Sequence, residues 1–276
     1  FLDDGQLYGT PITELFHRKR ASVPQRTLGM VYAGIEFRRR EIARLLASIN
    51  FEPKLPMPHF DPDEYDGDVQ RIAQLVRAMW HVPSGPVTNV TTFVEAAGCI
   101  IVETNFGTDK IDAISTCVPS LPPMFFVSPP VPTDRLRDSL SHELGHAVMH
   151  SVPRPAAEDE ANAFAAEFLM PEDDIKPYLR HIKLPELAAL KRYWKVSMNA
   201  LLKRASDLES IDFYQKDHLW RQFSKFGFRT RAPAETDLPP EKPTLLSEIV
   251  AAHRIGLGYS HADLSRILRL SEQEAL

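Results

Sequence analysis

The chain has 276 residues, 43% of them hydrophobic, and 37 acidic against 32 basic side chains give a formal charge of −5. That is enough apolar material for a substantial core in one large or two small domains, and the net charge argues against a general nucleic-acid binder. No apolar run approaches about 18 residues and no signal-peptide pattern opens the chain, which predicts a soluble, cytoplasmic protein with no membrane partner. The two cysteines, Cys99 and Cys117, could form a disulfide, but reduced thiols suit that compartment better and they lack the spacing of a metal pair.

The first thirty residues read as linker, with no compact element and no helix-turn-helix of their own. Because the chain opens on Phe1 and closes on Leu276 inside a helical pattern, we read it as part of a longer protein. From His17 to Arg44 eight basic residues stand against Glu36 and Glu41, a local balance of +6. Ile35, Ile42, Leu45, Leu46 and Ile49 predict an amphipathic helix there. Its basic side, including Arg38, Arg39, Arg40 and Arg44, fits either DNA phosphates or an ordinary solvated face. Pro53, Pro56, Pro58 and Pro62 then form a connector.

Helices are expected over 67–81 and 87–97, the second stopped by Gly98. Strands follow over 99–103, 111–118 and 124–128, joined through Pro119, Pro122 and Pro123. A helix is expected from Thr133, read as its N-cap behind Pro132, and a second over 156–170, closed by Pro171. A helix pair over 184–207 breaks at Val196-Ser197, resembling a helix-turn-helix joint or simply two packing helices. Residues 231–243 are proline-rich linker, and 260–270 could begin another turn motif. The whole predicts an α+β chain, mainly helical, with a small three-stranded sheet and helical flanking segments. Its parts are an N-terminal linker and amphipathic helix (1–62), a main domain (63–230) and a C-terminal segment (231–276).

The chemistry concentrates in His142-Glu143-Leu144-Gly145-His146. Residues four apart on a helix lie one above the other, so both imidazoles can reach one ion. Glu143, turned about 100° from His142, is off the ligand row but can reach a water and take its proton. Leu136, Leu140, Leu144 and Val148 bury one face and fix where the histidines point. The alternative is a helix with two surface histidines. Gly145 weighs against it, since a mid-helix glycine suits close approach of a second backbone or a substrate strand. A third ligand can come from Glu158, Asp159 or Glu160 at the start of the next helix. Glu158 is preferred because Asn162 follows on the same side and could hydrogen-bond a ligand histidine. Glu160, pointing about 200° away, is the alternative, and first-turn acids also simply complement a helix dipole. His150, at the helix end, reads as a support for the site or as packing. Asp112 is a weaker candidate for orienting substrate or a ligand.

Residues 142–146 followed by 158–171 resemble the ImmA/IrrE family of metallopeptidases. Trp194-Lys195-Val196-Ser197, Ala200-Leu201 and Arg204-Ala205 resemble its downstream helical segment. Residues 111–115 and 125–127 sit where that family has its small sheet. The resemblance spans about 65–230. It implies a zincin-like fold and a Zn2+ site of gluzincin type, with His142, His146 and Glu158 as ligands and Glu143 as base. It further implies intracellular regulatory proteolysis in gene regulation or stress response, on a repressor-like protein substrate. DNA would be reached through a helix-turn-helix domain ahead of Phe1. The other reading is an antitoxin or transcriptional regulator in which the zinc fold binds or senses a partner, such as a toxin, without efficient proteolysis. Metzincins fit less well, because Met149 and Val152 stand where their motif needs a glycine and a third histidine.

Overall fold

The computed structural model describes residues 15–17, 23–129, 131–152, 154–228 and 232–268. The opening stretch of the expected linker, and Arg18, Lys19 and Arg20 of the basic run, lie outside them. The elements run β1 (Leu15–His17), α1 (Gln25–Leu46), α2 (Val69–Met79), α3 (Val90–Ala96), β2 (Ile100–Glu103), β3 (Ala113–Thr116) and β4 (Met124–Val127). Then follow α4 (Thr133–Met149), α5 (Ala157–Leu169), α6 (Glu172–Leu179), α7 (Leu184–Trp194), α8 (Met198–Asp207), α9 (Phe213–Phe226), α10 (Leu245–Ala251) and α11 (His261–Leu268). The fold is α+β and mainly helical. Among the described residues no helix is long and apolar enough to cross a membrane.

The three expected strands form a mixed sheet in which β2 and β4 pair in parallel while β3 and β4 are antiparallel. Leu15–His17 adds a fourth strand along β3, so the order is β1-β3-β4-β2. The expected structureless N-terminus is therefore corrected twice, by this strand and by α1, which begins at Gln25. Both faces of the sheet are covered. Ile101, Ala113, Phe125 and Val127 point into the main core with α2, α4, α5 and α8. The alternate residues Ile100, Val102, Ile114, Met124 and Phe126 point to a second core made with α1, α10 and α11. Period-two alternation with apolar side chains on both sides is what makes these strands read as continuous hydrophobic runs.

Local signals set the helix starts. Asp68 accepts from Arg71 N–H at 2.9 Å to cap α2, and Asn89 accepts from Thr92 N–H at 2.9 Å to cap α3. Ser197 accepts from Ala200 N–H at 3.0 Å to cap α8, after Lys195 ends α7 in the left-handed region at φ 56°. Leu187, Trp194, Val196, Leu201 and Ala205 carry this helix pair into the main core. At α4 the expectation is corrected: Pro132 is the N-cap, Thr133 is the first helical residue, and no side chain caps the turn. In α1 the basic side is not uniformly solvated. Arg39 is buried and paired to Glu36 at 2.6 Å, Arg38 pairs with Glu41 at 2.8 Å, and Arg44 donates to Leu268 C=O at 3.0 Å.

Three buried ion pairs hold α4 and α5 against their surroundings. Lys191 of α7 pairs with Asp134 in the first turn of α4, and Arg204 of α8 pairs with Glu167 of α5. Arg137, wholly buried on α4, pairs with Glu241 from the proline-rich stretch and donates to Val87 C=O at 2.8 Å. The second oxygen of Glu241 accepts from the N–H groups of Val90 and Thr91 at 2.9 and 3.2 Å, at the start of α3. A segment expected to be linker thus inserts a carboxylate into the interior.

Two stability measurements follow. Removing Glu241 strands a buried guanidinium, so Glu241→Ala should lower unfolding free energy in urea titrations by about 3–5 kcal/mol. A β-carbon at Gly145 would lie 3.2 Å from both Ala161 Cα and Phe164 Cβ. Gly145→Val, which adds branched bulk there, should cost about 2 kcal/mol or more despite better helix propensity.

Candidate metal centre

At Gly145 α4 and α5 come close together, since a β-carbon there would lie 3.2 Å from Ala161 Cα and from Phe164 Cβ. Crossing there places the first turn of α5 above the middle of α4. Leu140, Leu144 and Val148 are fully buried on the core side of α4, with Leu136 packed at the rim. This seating turns His142 and His146 toward α5. Their Nε2 atoms are 3.1 Å apart. Glu158 stands over the pair, with one carboxylate oxygen 3.5 Å from His142 Nε2 and the other 3.5 Å from His146 Nε2. These three side chains form the group of potential metal ligands among the described residues, with donor atoms all within 4.8 Å of one another. Both histidines are buried, while the Glu158 side chain is half-exposed, so the cluster opens to solvent on one side.

The donor set fits a zinc ion. Nitrogens held at about 2.0–2.1 Å in tetrahedral geometry stand roughly 3.3 Å apart, close to the separation here. Asn162 Oδ1 lies 3.1 Å from His142 Nδ1. An amide oxygen can only accept, so the proton sits on Nδ1 and the Nε2 lone pair faces the cluster. Burial lowers His146 to a pKa of about 4, against the raising effect of Glu158, and so keeps its imidazole neutral as a ligand requires. Burial acts on Glu158 in the opposite sense, but hydrogen bonding to His142 and His146 prevails and holds it well below the usual carboxylate range.

Glu143, about 100° round α4 from His142, is fully buried beside Ser115 of the sheet. Ala113 and Ser115, the small inward residues of β3, make room for it. Neither carboxylate oxygen meets a partner at good hydrogen-bond geometry, although Ser115 is close enough to favour the charged form in part. Burial dominates and lifts Glu143 to a pKa of about 7, with His142 and Ser115 opposing it and the Glu158 charge adding to it. A carboxyl group that exchanges its proton near neutrality is suited to acid–base work. Cys117 is pushed up to about 12, by burial and then by the Glu143 charge, and is a protonated thiol. Cys99 and Cys117 are both free, in keeping with the reduced reading.

The remaining sequence candidates fall elsewhere. Glu160 faces away from the three-residue cluster and meets His150 Nε2 at 2.9 Å. Asp112, considered for substrate or ligand orientation, instead holds Arg135 of α4 through both carboxylate oxygens. Ser115, Arg137 and Glu241 escaped sequence reading. An isolated serine in a strand and a glutamate in a proline-rich stretch carry no local pattern that could have flagged them.

The family model for peptidase M78, described as an IrrE N-terminal-like domain, matches residues 94–206. Over this stretch, 113 of the 276 residues, the chain is similar to ImmA/IrrE-family metallopeptidases. The matched stretch runs from the middle of α3 through the sheet to α8, and so includes α4, α5 and every residue of the cluster. It leaves out α1, α10 and α11, the helices of the second core, and also α2 and α9, which pack into the main core. No curated protein matches the chain.

The position of Glu143 has a measurable cost with a defined sign. Its pKa rises from 4.5 to about 7 on folding, so the folded state binds the extra proton between those values and stability falls as pH rises through them. In the metal-free protein, kept so with a chelator, Glu143→Gln should therefore be the more stable form at pH 8. The gain should be on the order of 3 kcal/mol in urea titrations and should close below about pH 4.5.

Proposed function

We propose that this chain is a zinc-dependent regulatory endopeptidase that cuts a peptide bond in a protein partner such as a transcriptional repressor. The observation that carries the reading is the convergence of His142, His146 and Glu158 beside a buried, unpaired Glu143. His142, His146 and Glu158 would hold the ion, leaving a fourth position open as catalysis requires. Bound there, zinc would polarise a scissile carbonyl and acidify a water molecule. Glu143 takes the proton of the attacking water and returns it to the leaving amine nitrogen, a cycle suited to a group that titrates near neutrality. Asn162 fixes the ring of His142. The half-exposed Glu158 marks the side from which a substrate chain would approach. We assign the activity to residues 63–230.

Glu143→Gln should retain zinc and lose cleavage, whereas His142→Ala should lose zinc, as read by metal analysis of purified protein. Terminal-residue proteomics on cells carrying active or Glu143→Gln protein should reveal new protein termini only with the active form. Identical termini in both, together with stoichiometric partner capture that survives Glu143→Gln, would replace the peptidase by a non-proteolytic binding protein.

A further inference from the structure

Asn162 backs His142 at Nδ1, and His146 meets a different neighbour at the same ring position. Its Nδ1 instead lies 2.9 Å from Nδ1 of His150, one turn further along α4. The other nitrogen of His150, Nε2, lies 2.9 Å from Glu160 Oε2. His150 is buried and Glu160 nearly so. Glu160 is itself anchored, because its second oxygen stands 3.4 Å from Arg154, which is paired to Asp63 at 2.8 Å. Asp63 belongs to the short turn Pro62–Tyr65, well outside the stretch that matches the family.

Two arrangements of protons along this row are conceivable, and the carboxylate decides between them. An ionised carboxylate only accepts, so the His150 proton must sit on Nε2 and its Nδ1 must carry a lone pair. A lone pair on His150 Nδ1 needs a donor opposite, which places the His146 proton on Nδ1. The Nε2 lone pair of His146 is then directed at His142 and Glu158. The reverse order would set two lone pairs against each other at the Glu160–His150 contact and put a proton where a ligand atom must be bare.

We propose that Glu160 and His150 are positioning residues that set the tautomer of His146 through a Glu160–His150–His146 relay, preparing it to bind a cation. The relay deepens the metal-centre reading and rests on it. It also gives Glu160 a role: the acidic cluster of α5 is divided, Glu158 facing the ion position and Glu160 facing the support of a ligand.

Zn2+ affinity, measured by competition with a chromophoric chelator, should fall about 10–100-fold in Glu160→Ala and in His150→Ala. The double variant should be no weaker than the weaker single one, since the two act as one unit. Glu160→Gln, which keeps an acceptor oxygen, should recover most of the loss. A metal-independent readout is the two-bond 1H–15N correlation pattern of the imidazoles in chelator-treated protein. It should show His146 protonated on Nδ1 in the wild type and shifted toward the Nε2 form in Glu160→Ala. Glu160→Ala is the safer variant if His150→Ala fails to fold. Wild-type zinc affinity in Glu160→Ala, or a wild-type His146 protonated on Nε2, would overturn the relay. A wild type that binds no zinc yet shows the Nδ1 form would overturn the metal centre and leave the relay standing.

Discussion

The close crossing of α4 and α5 at Gly145 is the constraint on which the site depends. The two histidines come from one helix and need only its pitch to align. Glu158 comes from another helix, and its distance to them is set by how near the two backbones can approach. With 3.2 Å between an added β-carbon and Ala161, helix propensity has been surrendered at Gly145 for contact. The same crossing brings Asn162 to His142 and Glu160 to His150, so one missing side chain sets the places of Glu158, of the Asn162 amide and of the Glu160–His150 contact together.

The polar groups around these helices divide into matched and unmatched. Arg137–Glu241, Arg204–Glu167 and Lys191–Asp134 are buried charges whose desolvation is offset by direct pairing and by further hydrogen bonds. Such pairs add little net stability over apolar residues of the same shape, but each is expensive to break, which makes the placement of α4 and α5 unforgiving. Glu143 stands apart as a buried carboxylate without a good partner. Among the described residues the carboxylate left without a good partner thus lies near the cluster of potential metal ligands, a setting in which perturbed groups are common at functional sites.

Much of this was legible from residue spacing. The four-residue interval of His142 and His146, the apolar stripe of α4 and the offset of Asn162 from Glu158 all express the helical repeat, and prolines marked the ends of the helices. The strands were legible from their β-branched and aromatic runs. Elements with weak periodicity were not. α6 holds Pro177 inside eight residues, which conceals a helix, and α9 buries only Leu219 and Phe223 on a mostly polar surface. β1 is three residues long and exists through its pairing with β3. Buried charge was hidden too, because Arg39 looks like any other arginine in a basic run and Glu241 like any acid in a linker. Tertiary partners, far away in sequence, decide both.

The second core has a consequence for synthesis. Its sheet face is complete once Val127 has been made, and α1 is then available to cover part of it. Ile249 and Leu264, which finish the covering, come 122 and 137 residues later. At about 5–20 residues per second, the nascent chain carries that apolar face partly uncovered for roughly 6–27 seconds. During that interval α4, α5 and the whole metal cluster emerge, so the site can assemble on a sheet that is still wet on its far side. A ribosome that stalls in this window holds a chain with its site-forming residues translated and its sticky face open to chaperones.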